Sequence, residues 1–153
     1  MFDIARIFEN TGSEMDISCE MSPESTEGLK GIAFVRPPSL TGRVRNCAGI
    51  VTLSYTAGGT VVSQCDRCLK DISREFAYSF EHVVVRSVQR DNDEYIVAAN
   101  DELDMDSIAV DDVLLELPTK TLCSEDCKGL CPICGADLNI SACEHSDPAG
   151  DRV

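Results

Sequence analysis

The C-terminal part of the chain is organised around the segment Cys123-Ser124-Glu125-Asp126-Cys127-Lys128-Gly129-Leu130-Cys131-Pro132-Ile133-Cys134-Gly135. Two cysteines separated by two residues on a tight turn can aim both sulfurs at one cation and leave backbone N–H groups free to hydrogen-bond them. Pro132 presets the φ angle of such a turn, and Gly135 permits the positive φ with which the chain leaves it. The stretch therefore predicts a metal site.

Further cysteines elsewhere in the chain also have the spacing of metal ligands. The predicted ligands are Cys65, Cys68, Cys123, Cys127, Cys131, Cys134, Cys143 and His145. Eight ligands are enough for two tetrahedral sites, and a single site with unused thiols also fits. We favour the partition that joins Cys65 and Cys68 to Cys123 and Cys127 and leaves the other four as a second site. A site closed from the four cysteines of residues 123–134 alone would have cramped loops.

Composition indicates which metal these residues hold. The first nine residues contain two acids and no apolar core of signal-peptide length, so we expect a cytoplasmic protein that is not exported. No apolar run approaches the length of a membrane span. The odd total of nine cysteines argues against a closed disulfide framework. In a reducing cytosol, cysteines with this spacing hold zinc more often than they form disulfides, so zinc is the predicted cofactor.

Other readings of the thiols and histidines are less favourable. A thioredoxin-type pair sits at a helix N-terminus after a parallel strand, whereas Cys65 and Cys68 are predicted between antiparallel strands, so redox catalysis is disfavoured. Cys19 and Cys47 have no metal-type neighbours and are predicted to be buried structural thiols. His82, within a strand pattern, is predicted to be a satisfied or solvent-facing histidine.

The net charge of −14 hides an uneven distribution along the chain. Such a total does not favour binding of nucleic acid by bulk charge. Residues 29–90, however, hold nine Lys and Arg against four Asp and Glu, whereas residues 91–117 hold ten Asp and Glu and no Lys or Arg. The simplest interpretation is that both blocks are solvent-exposed faces. The less favoured interpretation is that each block binds a partner, or that the two blocks pair with each other. The cations that could meet RNA phosphates are Arg43, Arg45, Arg67, Lys70 and Arg74.

The middle of the chain is predicted to form strands. Residues 42–55 are β-rich, with Val51, Leu53 and Tyr55 on one face. We expect a hairpin turn at Gly58-Gly59 and a return strand over 60–64 that leads into Cys65. Long and short strands are predicted over 72–87 and 95–98, after a turn at 91–93.

A helix over about 106–117, capped by Asp106 or Ser107, is predicted to close a β-rich core domain of residues 1–118. The N-terminal region is predicted to form two strands around a turn at Thr11-Gly12. Residues 119–146 form a Cys-rich tail without apolar periodicity, which needs metal to order it, and residues 147–153 are predicted to be disordered. The predicted fold class is α+β, mainly antiparallel β in a sandwich or open barrel, with one or two helices and a zinc-binding C-terminal tail.

Three segments together resemble a known bacterial family. They are residues 65–69 (Cys-Asp-Arg-Cys-Leu), residues 113–118 (Val-Leu-Leu-Glu-Leu-Pro) and residues 122–139 around the four tail cysteines. In their order they are similar to the YceD-like family of large ribosomal RNA subunit accumulation proteins, over roughly the last two-thirds of the chain. The resemblance implies a cytoplasmic bacterial accessory factor for the production or stability of large-subunit ribosomal RNA. His145 stands where a cysteine is expected after Cys143, and histidine is an acceptable zinc ligand.

Three functions follow as hypotheses. The first is a non-catalytic factor that binds a ribosomal protein through the acidic block or ribosomal RNA through the cations, since no phosphate-binding glycine loop, nucleophile motif or small-molecule site is evident. The second is a zinc-dependent RNA-processing hydrolase, with Glu125, Asp126 and Asp137 as nearby carboxylates. The third is a structural interaction protein unrelated to ribosomes.

Overall fold

The computed structural model describes residues 1–27, 29, 31–89 and 94–145. Its contacts divide the chain into two compact units. The first unit comprises Met1–Val61 and Arg74–Leu117, and the second comprises Val62–Ser73 and the chain from Pro118 onward. The segment that carries Cys65 and Cys68 therefore groups with the Cys-rich tail. The turn predicted at 91–93 and the disorder predicted for 147–153 lie outside the described residues.

The elements confirm an α+β fold built mainly on antiparallel strands, and the described part of the chain contains three α-helices where one or two were predicted. In chain order they are β1 (Phe2–Asp3), α1 (Ala5–Glu9), β2 (Glu14–Glu20), α2 (Pro23–Glu27), β3 (Ala33–Phe34), β4 (Ser39–Cys47), β5 (Ile50–Gln64), β6 (Asp71–Val85), β7 (Tyr95–Val97), a 3-10 turn (Ala99–Asp101), β8 (Glu102–Leu103) and α3 (Met105–Glu116). The main sheet has the order β2-β4-β5-β6-β7, with β3 paired to β5, while β1 pairs with β8. Strand β7 runs parallel to β6.

The hairpin predicted at Gly58-Gly59 is wrong, because β5 runs unbroken from Ile50 to Gln64. The turn lies instead at Ala48-Gly49, where both residues have positive φ (54° and 88°) and β4 pairs antiparallel with β5. Asn46 is 1% exposed and supports the turn, since its Oδ1 accepts a hydrogen bond from the Gly49 N–H at 3.0 Å. Close packing between the strands requires glycine at Gly42 instead, where a Cβ would clash with the Ser54 carbonyl oxygen of β5.

The N-terminal segment also differs from its predicted two strands. Residues 5–9 form helix α1, in which Ile7 is buried, and Ile4, the N-cap residue before the helix, is buried as well. The second predicted strand does form, as β2, which pairs antiparallel with β4 along its whole length.

The core of the first unit lies between one face of the sheet and the helices. The predicted inward face of β5 is confirmed, since Val51, Leu53 and Tyr55 are all buried. The N-cap of helix α3 is Asp104, two residues before the predicted Asp106, because the Asp104 side chain accepts a hydrogen bond from the Ser107 N–H. Its buried residues are Met105, Ala109 and Val113. Among the described residues, no helix combines the length and apolar character required to cross a membrane.

Candidate metal centres

The second unit brings the eight predicted ligands together as two clusters. One contains Cys65, Cys68, Cys123 and Cys127, and the other contains Cys131, Cys134, Cys143 and His145. Within each cluster the ligand atoms all lie within 4.8 Å of one another. This grouping corresponds to the partition favoured from spacing.

The first cluster, Cys65, Cys68, Cys123 and Cys127, has the dimensions of a tetrahedral thiolate site. Its sulfurs lie 3.7 Å apart for Cys65 and Cys127 and 3.6 Å apart for Cys68 and Cys123. Four sulfurs held about 2.3 Å from a central zinc ion would be separated by about 3.8 Å along each tetrahedral edge. The donor set and its spacing therefore fit zinc.

Apolar surroundings shield the first cluster from water. Cys65, Cys68 and Cys127 are buried, and Ile72, Leu122 and Leu130 pack against them, whereas Cys123 is exposed. A divalent ion in such a setting has weak competition from solvent, which is typical of a structural site.

The second cluster is more open. Only Cys131 is buried, while Cys143 is half-buried and Cys134 and His145 are exposed. Its three thiolates and one imidazole are a common zinc ligand set. Each cluster thus provides four protein ligands.

The first cluster begins with a turn that its backbone closes in two places. The Cys65 N–H donates to the Lys70 carbonyl at 2.8 Å, and the Leu69 N–H donates to the Cys65 carbonyl at 2.9 Å. Leu69, the residue after the second cysteine, has a φ of 59°.

The second cluster repeats this turn at corresponding positions. The Cys131 N–H donates to the Ala136 carbonyl at 2.8 Å, and the Gly135 N–H donates to the Cys131 carbonyl at 2.8 Å. Gly135 has a φ of 73°, as its place after Cys134 predicted. Two turns of one geometry therefore present the two Cys-x2-Cys pairs.

These turns make the first cysteine of each pair acidic. Burial opposes ionisation of Cys65, but the surrounding backbone N–H groups outweigh it and lower the pKa to about 6. The N–H groups of the second turn likewise lower the pKa of Cys131 to about 6. At Cys68 the Lys70 N–H lowers the pKa, but burial and the neighbouring sulfurs outweigh it and raise the pKa to about 12. A divalent cation would favour the thiolate form of every cysteine in a cluster, four in the first and three in the second.

Two side chains that are not among the predicted metal ligands, Asn139 and Arg67, support the first cluster. The Asn139 Nδ2 donates to the Cys127 sulfur at 3.4 Å, which lowers the pKa of that thiol. The Asn139 Oδ1 accepts from the Lys128 N–H at 2.8 Å. The Arg67 guanidinium donates to the Cys127 carbonyl at 2.8 Å. Asn139 was missed because no spacing rule marks an amide as a second partner of a thiolate.

The five cations predicted to bind RNA are not equivalent. Arg43 lies 2.7 Å from Asp16 and 3.2 Å from Glu14 on the neighbouring strand. The Arg67 guanidinium is engaged by the Cys127 carbonyl of the first cluster. The other three side chains make no ion pair with a described residue, and all three are exposed. They are Arg45, Lys70 and Arg74.

The remaining thiols and His82 complete the comparison with the predictions. Cys19 is half-buried, but Cys47 is exposed, so its predicted burial is wrong. Cys47 ends β4 beside the Ala48-Gly49 turn and alternates outward from the buried Asn46. His82 is satisfied, since its Nε2 lies 2.6 Å from Asp112 Oδ2.

Comparison with known proteins places the chain in a family. A family model described as "Large ribosomal RNA subunit accumulation protein YceD" matches residues 53–152. The chain belongs to this family. The part matched to the YceD description contains all eight candidate ligands.

The similar curated proteins are bacterial. An uncharacterized protein of Mycobacterium tuberculosis is 27% identical over 143 residues, which cover 89% of this chain and 69% of the relative. An uncharacterized protein of Mycobacterium leprae is 27% identical over 150 residues, covering 92% of this chain and 68% of the relative. The uncharacterized protein YlbN of Bacillus subtilis is 26% identical over 130 residues, covering 83% and 75%. No solved structure matches the chain.

Proposed function

We propose that this protein is a non-catalytic cytoplasmic factor that supports the accumulation of large-subunit ribosomal RNA by binding a ribosomal protein, ribosomal RNA or both. The observation that carries the proposal is the match of residues 53–152 to the YceD family, whose description names this process. Zinc in the two clusters orders the second unit, which then presents its surface residues in fixed positions.

The donor chemistry supports a structural role for zinc. Each cluster supplies four protein ligands, whereas a catalytic zinc site keeps one position open for water or substrate. Thiolate-rich sites select zinc over the hard cations magnesium and calcium. The ion contributes charge neutralisation and cross-linking, and the chain supplies the turns and the Asn139 hydrogen bond.

The alternative, an RNA-processing hydrolase, has less support from its three carboxylates. Asp137 Oδ1 already accepts two hydrogen bonds from Asn139, each of 2.9 Å. Glu125 and Asp126 are exposed. Cleavage of RNA by the purified zinc-loaded protein, lost on Glu125→Ala, would favour the hydrolase instead.

The proposal is tested by depleting the protein from its host and measuring the ratio of large-subunit to small-subunit ribosomal RNA. We expect the ratio to fall and to be restored by the wild-type chain, but not by Cys65→Ser/Cys68→Ser, which removes half of the first cluster. The exposed variant Glu20→Gln is the matched control and should restore the ratio. An unchanged ratio after depletion would contradict the proposal and favour an interaction protein unrelated to ribosomes, as would a pull-down without ribosomal components.

The RNA-binding component has its own test. If the free cations contact phosphates, Arg45→Gln and Arg74→Gln should each reduce the slope of log affinity against log salt by about 1 for ribosomal RNA. Arg43→Gln is the matched control, because Arg43 is already paired with acids and should change the slope less. Equal slopes for all variants would leave binding of a ribosomal protein as the mode of action.

A further inference from the structure

An open apolar groove lies in the first unit between strand β7 and helix α3. Its larger compartment has a volume of about 780 Å³ and is lined by His82, Val88, β7 and the side of α3 that carries Leu114 and Leu115. Leu115 is 85% exposed and Leu114 is 37% exposed. Apolar side chains gathered at one exposed place mark an interaction site more often than scattered ones do.

A smaller compartment extends the same groove toward the N-terminal end of α3. It has a volume of about 330 Å³ and shares Ile96, Val97, Ile108 and Asp111 with the larger one. Because these four residues line both compartments, the two adjoin each other, and together they are named here the β7–α3 groove.

The polar lining of the β7–α3 groove is acidic. Asp111 and Asp112 line the larger compartment, and Glu102 and Asp104 are added by the smaller one. No Lys or Arg side chain lines either compartment among the described residues. Such a groove repels anions, including a nucleic-acid backbone, and attracts a cationic partner.

The carboxylate of Asp112 is held in place and stays in the groove wall. Its Oδ2 accepts a hydrogen bond from the Tyr55 hydroxyl at 2.5 Å and lies 2.6 Å from His82 Nε2. Burial and the neighbouring Asp112 raise the pKa of Tyr55, so its hydroxyl remains a donor. Asp111 and Glu102 are exposed and make no ion pair with a described residue, which leaves them available to a partner.

We propose that the β7–α3 groove binds a cationic amphipathic polypeptide segment, in which apolar side chains pack on Leu114 and Leu115 and Lys or Arg side chains meet Asp111 and Glu102. This inference deepens the proposed function, on which it rests for the class of partner: a basic segment of a ribosomal protein has this chemistry. A second copy of the chain fits less well, because two chains of net charge −14 repel each other.

The test uses a fluorescein-labelled synthetic peptide of alternating Leu and Lys, with the full-length protein and fluorescence anisotropy at physiological salt. Leu115→Ser should weaken binding about tenfold, equivalent to about 1.4 kcal/mol. Ile50→Ser is the matched control: Ile50 is 58% exposed and does not line the groove, so binding should be unchanged.

A second matched pair separates the groove from bulk charge. Asp111→Asn and Glu20→Gln remove the same charge, but only Asp111 lines the groove. We expect Asp111→Asn to weaken peptide binding several-fold more than Glu20→Gln. Equal effects of the two, undiminished binding by Leu115→Ser, or equally tight binding of a Ser-Lys peptide would overturn the proposal. A dimer that Leu115→Ser dissociates, without peptide binding to either form, would assign the groove to a second copy and also overturn it.

Failure of this inference can be told apart from failure of the proposed function. If depletion lowers the ribosomal RNA ratio but Leu115→Ser binds the peptide as tightly as the wild-type chain, the function holds and the groove proposal fails. If the peptide binds through Leu115 and Asp111 but depletion leaves the ratio unchanged, the groove binds a cationic segment and the ribosomal role fails.

Discussion

Replacement of Asn46 by Ala tests how the turn between β4 and β5 is stabilised. The Asn46 Nδ2 donates to the Ile7 carbonyl at 2.7 Å, and its Oδ1 accepts from the Gly49 N–H at 3.0 Å. Without the Asn46 donor the Ile7 carbonyl keeps only the Ser13 hydroxyl at 3.4 Å, a loss that costs about 1–3 kcal/mol, while the exposed Gly49 N–H can turn to water and costs about 0.5–1 kcal/mol. We expect Asn46→Ala to lower the free energy of unfolding by about 1.5–4 kcal/mol in total.

Urea unfolding of the full-length protein with bound metal measures this change. With a denaturant slope of about 2 kcal/mol/M, the midpoint should fall by about 1–2 M. The variant Asn46→Asp keeps the shape but cannot donate to Ile7 when ionised, and burial raises the folded-state pKa of the introduced carboxyl above its unfolded value of about 3.9.

The sign of the pH dependence follows from this raised pKa. The folded state binds the proton more tightly than the unfolded state, so Asn46→Asp is least destabilised below about pH 4 and loses stability as the pH rises through the folded pKa. The free energy of unfolding of Asn46→Ala is subtracted from that of Asn46→Asp at each pH. This difference removes the effects of other carboxylates and of metal release, which the two variants share. A loss below 1 kcal/mol for Asn46→Ala, or a difference between the variants that does not vary with pH, would refute the reasoning.

Three further changes have outcomes that the structure sets. Gly135→Ala should lower the zinc affinity of the second cluster several-fold, as measured by competition with a chromophoric chelator. Alanine is strained at a φ of 73°, although nothing lies within 4 Å of the new Cβ. Gly129→Ala should reduce the metal-dependent protease resistance of the tail more than Gly135→Ala does, because the new Cβ at position 129 would also lie 3.0 Å from the Arg67 carbonyl. Equal losses of protease resistance in the two variants would contradict this. Tyr55→Phe should lower the free energy of unfolding by about 1 kcal/mol in urea, since it leaves Asp112 with one partner fewer; an unchanged midpoint would count against that hydrogen bond.

Local sequence patterns predicted those parts of the fold in which the pattern and the packing agree. Alternation along β5 predicted its buried face, and the spacing of apolar residues predicted α3. The hairpin was misplaced because Gly58-Gly59 has the usual turn composition, whereas Ala48-Gly49 depends on the side chain of Asn46, a contact that spacing does not reveal. Helix α1 was missed because five residues are too few for a periodicity to be distinguished from a strand.

The sequence predicted the metal ligands more completely than it predicted the rest of the fold, for a physical reason. Metal ligands on one turn are separated by fixed numbers of residues, so Cys131 and Cys134 can be paired from sequence alone. The supporting Asn139 and the groove beside Leu115 depend on segments that meet only after folding, and neither has a spacing rule. Exposure of the second cluster likewise follows from packing and not from the order of its ligands.

The most direct test of the central claim, that the two clusters hold zinc, is elemental analysis of freshly purified and reduced protein, with zinc measured per chain. We expect two zinc ions per chain, one for each cluster. Protein that is folded and reduced but contains no stoichiometric zinc would contradict it.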